Sequence, residues 1–393
     1  MRYCHRVLGS IGGSTDIPED LRVAMPKRNM MAKPIEFWTN LTAKDPRAGA
    51  REAARLEAAG WDGVAMVDSQ CMFPDVWMYL ALCAQATARV KLATGVTNSI
   101  TRHPSVTASA ASSLQLISGG RSVLGVGRGD SALAYVGASP MPIGRFEEHL
   151  AILQQYLRDE DVPMEVASSL VPGARGGFDN LAIGTGPAGS RIKWLADFDM
   201  PKVPLEAFAT GPKAIEAAAR AADAVILGLA AEPNRIGWGV DIARKAAAAH
   251  GRSADALKIG AYVCVVPHPD VAVARRLAAA TVATMARFSV MNKRVIGPAT
   301  ERQVEIMLKL AQVYNMNTHG KGGAQIDVLD DEFIDQFGIV GTVEHCIRRI
   351  CHLSKLGVDR LTLFLPLSKD PEIETSYRLL ANEVLPAAKA ACA

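Results

Sequence analysis

Four consecutive residues, Thr210-Gly211-Pro212-Lys213, have the composition of a phosphate-binding turn. They join an apolar run to a predicted helix. The first N–H groups of a helix have no partner within it, and the helix dipole attracts anions to that end. Glycine permits close approach of an anion, and Thr210 offers a hydroxyl. We predict a phosphate site here. A capped helix without a ligand is the alternative, and the GTG triplet at 184–186 is a weaker second candidate.

A second glycine-rich segment, Gly127-Arg128-Gly129-Asp130, follows the apolar run 122–126. The letters GVGRGD resemble a dinucleotide-binding fingerprint, but Asp130 stands where the third glycine of G-x-G-x-x-G would be. We therefore favour a loop at the end of a strand, the position at which parallel α/β folds place their ligands, with the backbone amides and Arg128 facing a ligand. A tight turn closed by an ion pair between Arg128 and Asp130 is the alternative.

The loop 97–104 adds polar groups after a third apolar run, at 91–96. It carries Thr97, Asn98, Arg102 and His103. Histidine is the side chain that most often transfers protons in catalysis. Because His103 lies in a loop beside Arg102, and not on an apolar helix face, we predict that it is catalytic. A structural role is the alternative for a lone histidine.

Short apolar runs and helix-like runs alternate along the chain and must position these loops. From 35 to 126 the order is strand, helix, strand, helix, and the alternation returns after residue 205. Eight strand candidates with helical partners predict a (β/α)8 TIM barrel, which binds ligands at the C-terminal ends of its strands. An open, doubly wound sheet is the alternative. Two long irregular stretches, about 159–204 and 289–338, are predicted to be insertions at that face, the first as a mobile cover.

The composition excludes several classes of function. A net charge of +3 with scattered basic residues does not indicate nucleic-acid binding. Runs of 18 apolar residues are absent, and no histidine and acid spacing indicates a metal site. The seven cysteines lack CxxC spacing, which is typical of reduced thiols in a cytoplasmic protein. Residues 1–31 have no apolar signal core and are expected to be a flexible extension before a domain at 32–393.

The sequences TGVTNSITRHPSVTA, at 94–108, and SGGRSVLGVGRGDSA, at 118–132, resemble the bacterial luciferase-like superfamily. Within it they are most similar to the methylenetetrahydromethanopterin reductases, which use the deazaflavin F420. The resemblance implies a TIM-barrel oxidoreductase with its cofactor at the mouth of the barrel. It also implies a non-proline cis peptide at Gly95-Val96, behind the middle ring of the cofactor, and a contact between the 210–213 loop and the cofactor phosphate.

One segment departs from this resemblance. F420-using relatives typically carry Asp-His at the end of the second strand, whereas this chain has Asp68-Ser69-Gln70. The acid is retained, so Asp68 is expected in the pocket as a catalytic residue. The proton-transfer role of the histidine does not carry over, because a hydroxyl and an amide replace the imidazole.

F420-dependent hydride transfer to or from a small organic substrate is the function that these observations favour. A monooxygenase that uses O2 and FMNH2, supplied by a partner flavin reductase, is the alternative, and the missing histidine favours it. A barrel that binds a ligand without catalysis is a remote third interpretation. The loops at 127–130 and 210–213 are predicted to bind the cofactor, together with Gly95, Val96, Thr97 and Asn98. A homo-oligomer is expected, because dimers are the commonest closed assembly.

Overall fold

Eight parallel strands close into a ring in the computed structural model, which describes residues 35–171, 178, 181–253 and 255–392. The strands are β1 (Glu36–Asn40), β2 (Gly63–Met66), β3 (Lys91–Thr94), β4 (Ser122–Gly127), β5 (Leu205–Ala209), β6 (Ala224–Leu227), β7 (Lys258–Pro267) and β8 (Arg360–Phe364). Strand β8 pairs with β1 on one side and with β7 on the other, which closes the barrel. The predicted (β/α)8 barrel is confirmed, and the doubly wound alternative is wrong.

Helices cover the outside of this ring. They are α1 (Pro46–Ala58), α2 (Val76–Ala86), α3 (Pro104–Ser118), α4 (Ile143–Leu157), α5 (Pro212–Ala221), α6 (Pro233–Ala249), α7 (Val271–Arg287) and α8 (Val343–Ser354). Four of them begin with proline, whose fixed φ suits the first helical position and whose missing N–H costs nothing there. The chain ends in one continuous helical segment, with an α-helix at Ile373–Leu379, a π-helical turn at Leu380–Val384 and an α-helix at Leu385–Ala391.

The inside of the barrel changes character from one end to the other. At the N-terminal ends of the strands, Arg360 donates to Glu206 at 2.8 Å and lies 3.9 Å from the centre of the Trp38 ring. These side chains are buried, and their opposite charges compensate each other. Towards the C-terminal ends the charges give way to aromatic rings and glycines. The bottom of the barrel is therefore filled by an ion pair, and aromatic rings line the inside towards its mouth.

Two segments interrupt the alternation of strands and helices. In the first, Val162–Pro163 pairs antiparallel with Gly189–Ser190, followed by a 3-10 helix at Lys193–Asp197. A short helix, Met164–Ser169, also belongs to it. Residues 172–177, 179 and 180 of the predicted cover lie outside the described residues.

The second segment, 289–338, was predicted to be irregular, and this was wrong. Its elements are the helices Glu301–Val313, Ala324–Asp327 and Asp331–Phe337 and the 3-10 turns Met291–Lys293 and Met316–Thr318. A three-residue strand, Ile339–Gly341, follows and pairs with β7. Thr300 and Gln303 form a capping box at the start of the first helix, and this signal was present in the sequence.

The predicted N-terminal extension, 1–31, lies outside the described residues. Across the ranges that the structure describes, no helix is both long and apolar enough to cross a membrane.

Candidate functional site

The chain between β3 and α3 crosses the mouth of the barrel. The Gly95-Val96 peptide is cis, as the resemblance implied, and Thr97–Asn98 then pairs with the end of β4. There is no room for a side chain at position 95. A Cβ there would lie 2.7 Å from the Cβ of Ala65 and 2.9 Å from the hydroxyl of Tyr262. The backbone at Gly95 is therefore packed directly between β2 and β7.

Asp68 is held at the end of β2 by two groups from the loop after β3. The Thr97 hydroxyl donates to Asp68 Oδ2 at 2.6 Å, and Arg102 forms an ion pair with the same carboxylate. Arg102 also donates to Asp75 at 3.1 Å. Burial alone would lower the pKa of Arg102, but the two carboxylates outweigh it and the pKa is raised. The structure thus brings Asp68, Thr97 and Arg102 together, and both oxygens of Asp68 are engaged.

His103 has the contacts of a structural residue. It is the N-cap of α3, where its Nδ1 accepts from the Ser105 amide at 3.2 Å. Its Nε2 lies 3.0 Å from the carbonyl oxygen of Ala167, and its ring meets Tyr156 edge-on. Because both ring nitrogens are engaged on the outer side of the barrel, these contacts favour helix capping over the predicted catalytic role.

The glycine loop after β4 differs from the predicted alternative of an Arg128–Asp130 pair. Arg128 Nε donates to the carbonyl oxygen of Met141 at 2.6 Å, and burial lowers its pKa. Asp130 instead forms an ion pair with Arg287 at the end of α7. Gly129 has a φ of 94°, and a Cβ there would lie 2.1 Å from Leu133. The loop is thus fixed by contacts with more distant parts of the chain.

Several buried polar atoms at the mouth have no hydrogen-bond partner among the described residues. Asn98 accepts from the amides of Ile100 and Thr101 through its oxygen, whereas its Nδ2 is buried and unpaired. The hydroxyls of Ser69 and Ser99 are buried and unpaired as well. A buried donor without a hydrogen-bond partner lowers the stability of a folded protein by about 1–3 kcal/mol. These three atoms follow β2 and β3, so they fit the polar edges of a planar ligand.

Aromatic side chains supply the apolar part of the mouth. Tyr262 of β7 lies 5.4 Å from Phe208 of β5 and 6.2 Å from Phe364 of β8, measured between ring centres. Phe208 also contacts Phe288, just after α7, at 6.0 Å. Burial raises the pKa of Tyr262 to about 12, so it stays neutral. The positions of Phe208, Tyr262 and Phe364 inside apolar runs of the sequence were a signal for this part of the site.

The predicted phosphate turn has an open backbone. Helix α5 begins at Pro212, Gly211 is its N-cap, and no side chain caps it. A Cβ at Gly211 would meet no atom within 4 Å, and Lys213 is exposed. Thr210, at the end of β5, is partly buried. In the weaker candidate triplet, a Cβ at Gly186 would lie 2.2 Å from the ring of Phe178.

Other surface features lie away from these residues. A groove of about 770 Å³ runs along the outer face of α3 and includes Arg191 and Trp194, and a second of about 410 Å³ includes Glu232 and His345. Neither contains a predicted site residue. Among the described residues, no group of three or more histidines, cysteines and acids could hold a metal ion.

Comparison with known proteins identifies the family of this chain. The family described as luciferase-like monooxygenase matches residues 30–360. The chain belongs to the luciferase-like family. It is 29% identical over 358 residues to the 5,10-methylenetetrahydromethanopterin reductase of Methanolobus tindarius, covering 89% of this chain and all of that protein. The corresponding enzyme of Methanopyrus kandleri is 29% identical over 314 residues, covering 78% of this chain and 85% of that protein.

Solved structures of other proteins have the same fold as this chain. The coenzyme F420-dependent tetrahydromethanopterin reductase of Methanopyrus kandleri superposes with a TM-score of 0.66 at 24% identity, covering 90% of this chain and 99% of that one. A long-chain alkane monooxygenase superposes with a TM-score of 0.57 at 16% identity, covering 91% of each chain. As a luciferase-like protein, the chain is an F420- or flavin-dependent oxidoreductase.

Proposed function

We propose that this luciferase-like protein binds F420 at the mouth of the barrel and transfers a hydride to or from a small organic substrate. The observation that carries the proposal is the set of buried, unpaired polar atoms of Ser69, Asn98 and Ser99, at the same end of the barrel as the rings of Phe208 and Tyr262. Such an environment suits a flat ring system with polar edges. The choice of F420 rests on the relatives, since three that match along most of the chain are named as methylenetetrahydromethanopterin reductases.

Each part of the mouth has a separate task in this proposal. The cofactor supplies the hydride chemistry, and the protein binds and orients it. The backbone from Gly95 to Asn98 supports the ring, and the loop at 127–130 borders it. The start of α5, with the open backbone at Gly211 and the exposed Lys213, holds the phosphate. Asp68 is predicted to lie at the pocket, where its ion pair with Arg102 fixes the loop that carries Asn98.

A monooxygenase that uses FMNH2 is the second candidate, and one observation favours it. At the end of β2, where F420-using relatives carry a histidine, this chain has Ser69. The next residue, Gln70, donates to the carbonyl oxygen of Ala132 at 3.0 Å and is not titratable. A reaction between a reduced flavin and O2 would need no imidazole at this position. This candidate implies a separate flavin reductase as a partner.

Titration with F420 and with FMN, each oxidised and reduced, tests the choice. We expect F420 to bind more tightly, and reduced F420 to be reoxidised without O2 when a small ketone, a small imine or methylenetetrahydromethanopterin is added. Tighter binding of FMNH2 and substrate-dependent consumption of O2 would support the monooxygenase instead. Binding without either reaction would leave a ligand-binding barrel. Sedimentation of the same samples tests the expected homo-oligomer.

A further inference from the structure

Apart from the Tyr262 hydroxyl, whose pKa burial raises to about 12, the residues assigned so far leave the mouth without a group that can move a proton. Asp68 is bound by Arg102 and Thr97, and both nitrogens of His103 are engaged outside the barrel. Ser69 does not ionise near neutral pH. Hydride transfer between a cofactor and a carbon bonded to oxygen or nitrogen also requires a proton to leave or join that heteroatom.

His319, in the second insertion, is connected to the glycine loop after β4 through Tyr314 and Arg287. Its Nδ1 is 2.7 Å from the hydroxyl of Tyr314. The Tyr314 ring lies 4.9 Å from the guanidinium of Arg287, and Arg287 pairs with Asp130 in the loop after β4. The hydroxyl of Tyr135, just beyond that loop, donates to the Met316 carbonyl oxygen at 2.7 Å. Two independent contacts therefore hold the His319 segment against the glycine loop.

The backbone that leads into His319 is fixed by a buried glutamine. Gln325 accepts from the Asn315 amide at 3.2 Å and from the Thr318 hydroxyl at 3.1 Å. It also donates to the Thr318 carbonyl oxygen at 2.9 Å. Gln325 is only 1% exposed, so these bonds are shielded from water. The imidazole is thus presented from a preorganised turn.

A chain of hydrogen bonds decides which nitrogen of His319 carries its proton. The Thr284 hydroxyl donates to the carbonyl oxygen of Ala280 at 3.0 Å, so it can only accept from Tyr314, 3.1 Å away. The Tyr314 hydroxyl then donates to Thr284 and accepts from Nδ1–H of His319. This order satisfies every contact and leaves the lone pair on Nε2. Nε2 has no partner among the described residues and is not sealed from solvent.

Burial and the neighbouring Arg287 favour the neutral form of the His319 ring. Burial lowers the pKa of His319, and the nearby Arg287 lowers it further, whereas Asp130 opposes the change. A neutral imidazole with a free lone pair is the form that accepts a proton. Tyr314 is the other titratable group that faces the ring, and burial raises its pKa, so it also remains uncharged.

We propose that His319 is a catalytic residue that takes the proton from a substrate O–H or N–H, and that Tyr314 is the residue that positions it. The inference rests on the proposed function. In the oxidising direction the substrate carbon loses a hydride to the oxidised cofactor. The heteroatom–hydrogen bond breaks, the proton joins Nε2, and a C=O or C=N bond forms. In the reducing direction the imidazolium returns that proton. The substrate class is accordingly an alcohol or amine and the matching carbonyl compound or imine.

Histidine labelling with diethyl pyrocarbonate, read by mass spectrometry, tests the position of Nε2 without a substrate. We expect His319 to be labelled much faster than His103, whose nitrogens are both engaged, and F420 to slow the labelling of His319. Equal rates for the two histidines, or labelling that F420 does not change, would overturn the inference. F420 and FMN titrations are run first, because failure of both to bind rejects the proposed function and this inference with it.

Turnover of variants tests the chemical role. Asparagine can keep the contact with Tyr314 but has no second nitrogen, so we expect His319→Asn to lower kcat by about a hundredfold, within the range for general acid–base catalysis, with unchanged F420 affinity. Added imidazole should restore part of the turnover of His319→Ala. Tyr314→Phe keeps the ring against Arg287, and we expect it to lower kcat with little change in KM. An F420-binding His319→Asn with normal turnover contradicts the proposal.

Discussion

Arg102 and Asp68 form an ion pair that ties the loop after β3 to the end of β2. The Asp68 side chain is 1% exposed and the Arg102 side chain 18% exposed, so water screens the pair only weakly. The same loop carries Asn98, whose Nδ2 is one of the unpaired donors at the mouth. The pair therefore sets the position of a predicted cofactor contact as well as the stability of the barrel.

Replacing Arg102 with methionine should destabilise the protein strongly. The variant leaves the Asp68 carboxylate buried without a compensating charge, and such a change costs about 3–5 kcal/mol. Thermal and chemical denaturation measure the loss. Adding Asp68→Asn to Arg102→Met should recover part of it, because the double variant removes the stranded charge.

The matched control for Arg102→Met is Arg47→Met. Arg47 pairs with Asp45 at the start of α1, but its side chain is 81% exposed. Exposed ion pairs contribute about 0–1 kcal/mol to stability, so the melting temperature of this variant should be close to that of the wild type. Equal destabilisation by both variants would show that the buried charge at Asp68 is not the cause.

Substituting His103 separates its capping role from the predicted catalytic one. His103→Ala removes the cap of α3, and losing a capping side chain costs about 1 kcal/mol. His103→Asn should restore the cap, because asparagine is a good N-cap residue. We expect both variants to bind F420 normally and to turn over normally at a temperature well below melting. A large fall in kcat for the well-folded His103→Asn would restore the catalytic interpretation.

The barrel was predictable from the sequence because strand and helix patterns are local. The alternation of short apolar and helix-like runs, together with residues such as Pro212, identified eight βα units. Contacts across the chain were not predictable by the same means. Arg287 pairs with Asp130 across 157 positions, and no local pattern indicates this pairing. The contacts of His103 were not predictable for a similar reason, since its partner Ala167 lies 64 positions away.

His149 should make the protein sensitive to acid. It is buried in α4, and burial, together with the nearby His103, lowers its pKa to about 4. In the unfolded chain a histidine has a pKa of about 6.5. As the pH falls below 6.5, His149 binds a proton in the unfolded chain. In the folded protein it does so only at about pH 4. The free energy of unfolding should thus drop by about 3 kcal/mol across this range.

Comparing melting temperatures of wild type and His149→Gln from pH 7 to pH 4 measures this contribution. The variant should lose less stability on acidification than the wild type. His250→Gln, which alters an exposed histidine, is the control and should follow the wild-type curve. If His149→Gln and the wild type lose stability in parallel, another group is responsible for the acid sensitivity.

Gly211→Asp tests the phosphate site at the start of α5. The structure leaves open space around the Cβ position, and the φ of −135° suits any residue, so the fold should accept the change. Aspartate is also a good N-cap, which should keep or raise the melting temperature. Its carboxylate would accept hydrogen bonds from the backbone at the start of α5 and would repel the phosphate. Losing one charge-assisted hydrogen bond costs about 1.5–3 kcal/mol, so affinity for F420 or FMN should fall at least about tenfold.

Two matched comparisons isolate the phosphate effect at Gly211. Gly211→Asn has nearly the shape of the aspartate without its charge, so its loss of affinity should be smaller. Riboflavin lacks the phosphate, and its binding should hardly distinguish Gly211→Asp from the wild type. If the folded Gly211→Asp binds F420 and FMN as tightly as the wild type does, the phosphate lies elsewhere. Gly184, where a Cβ would also meet no atom within 4 Å, is then the next position to substitute.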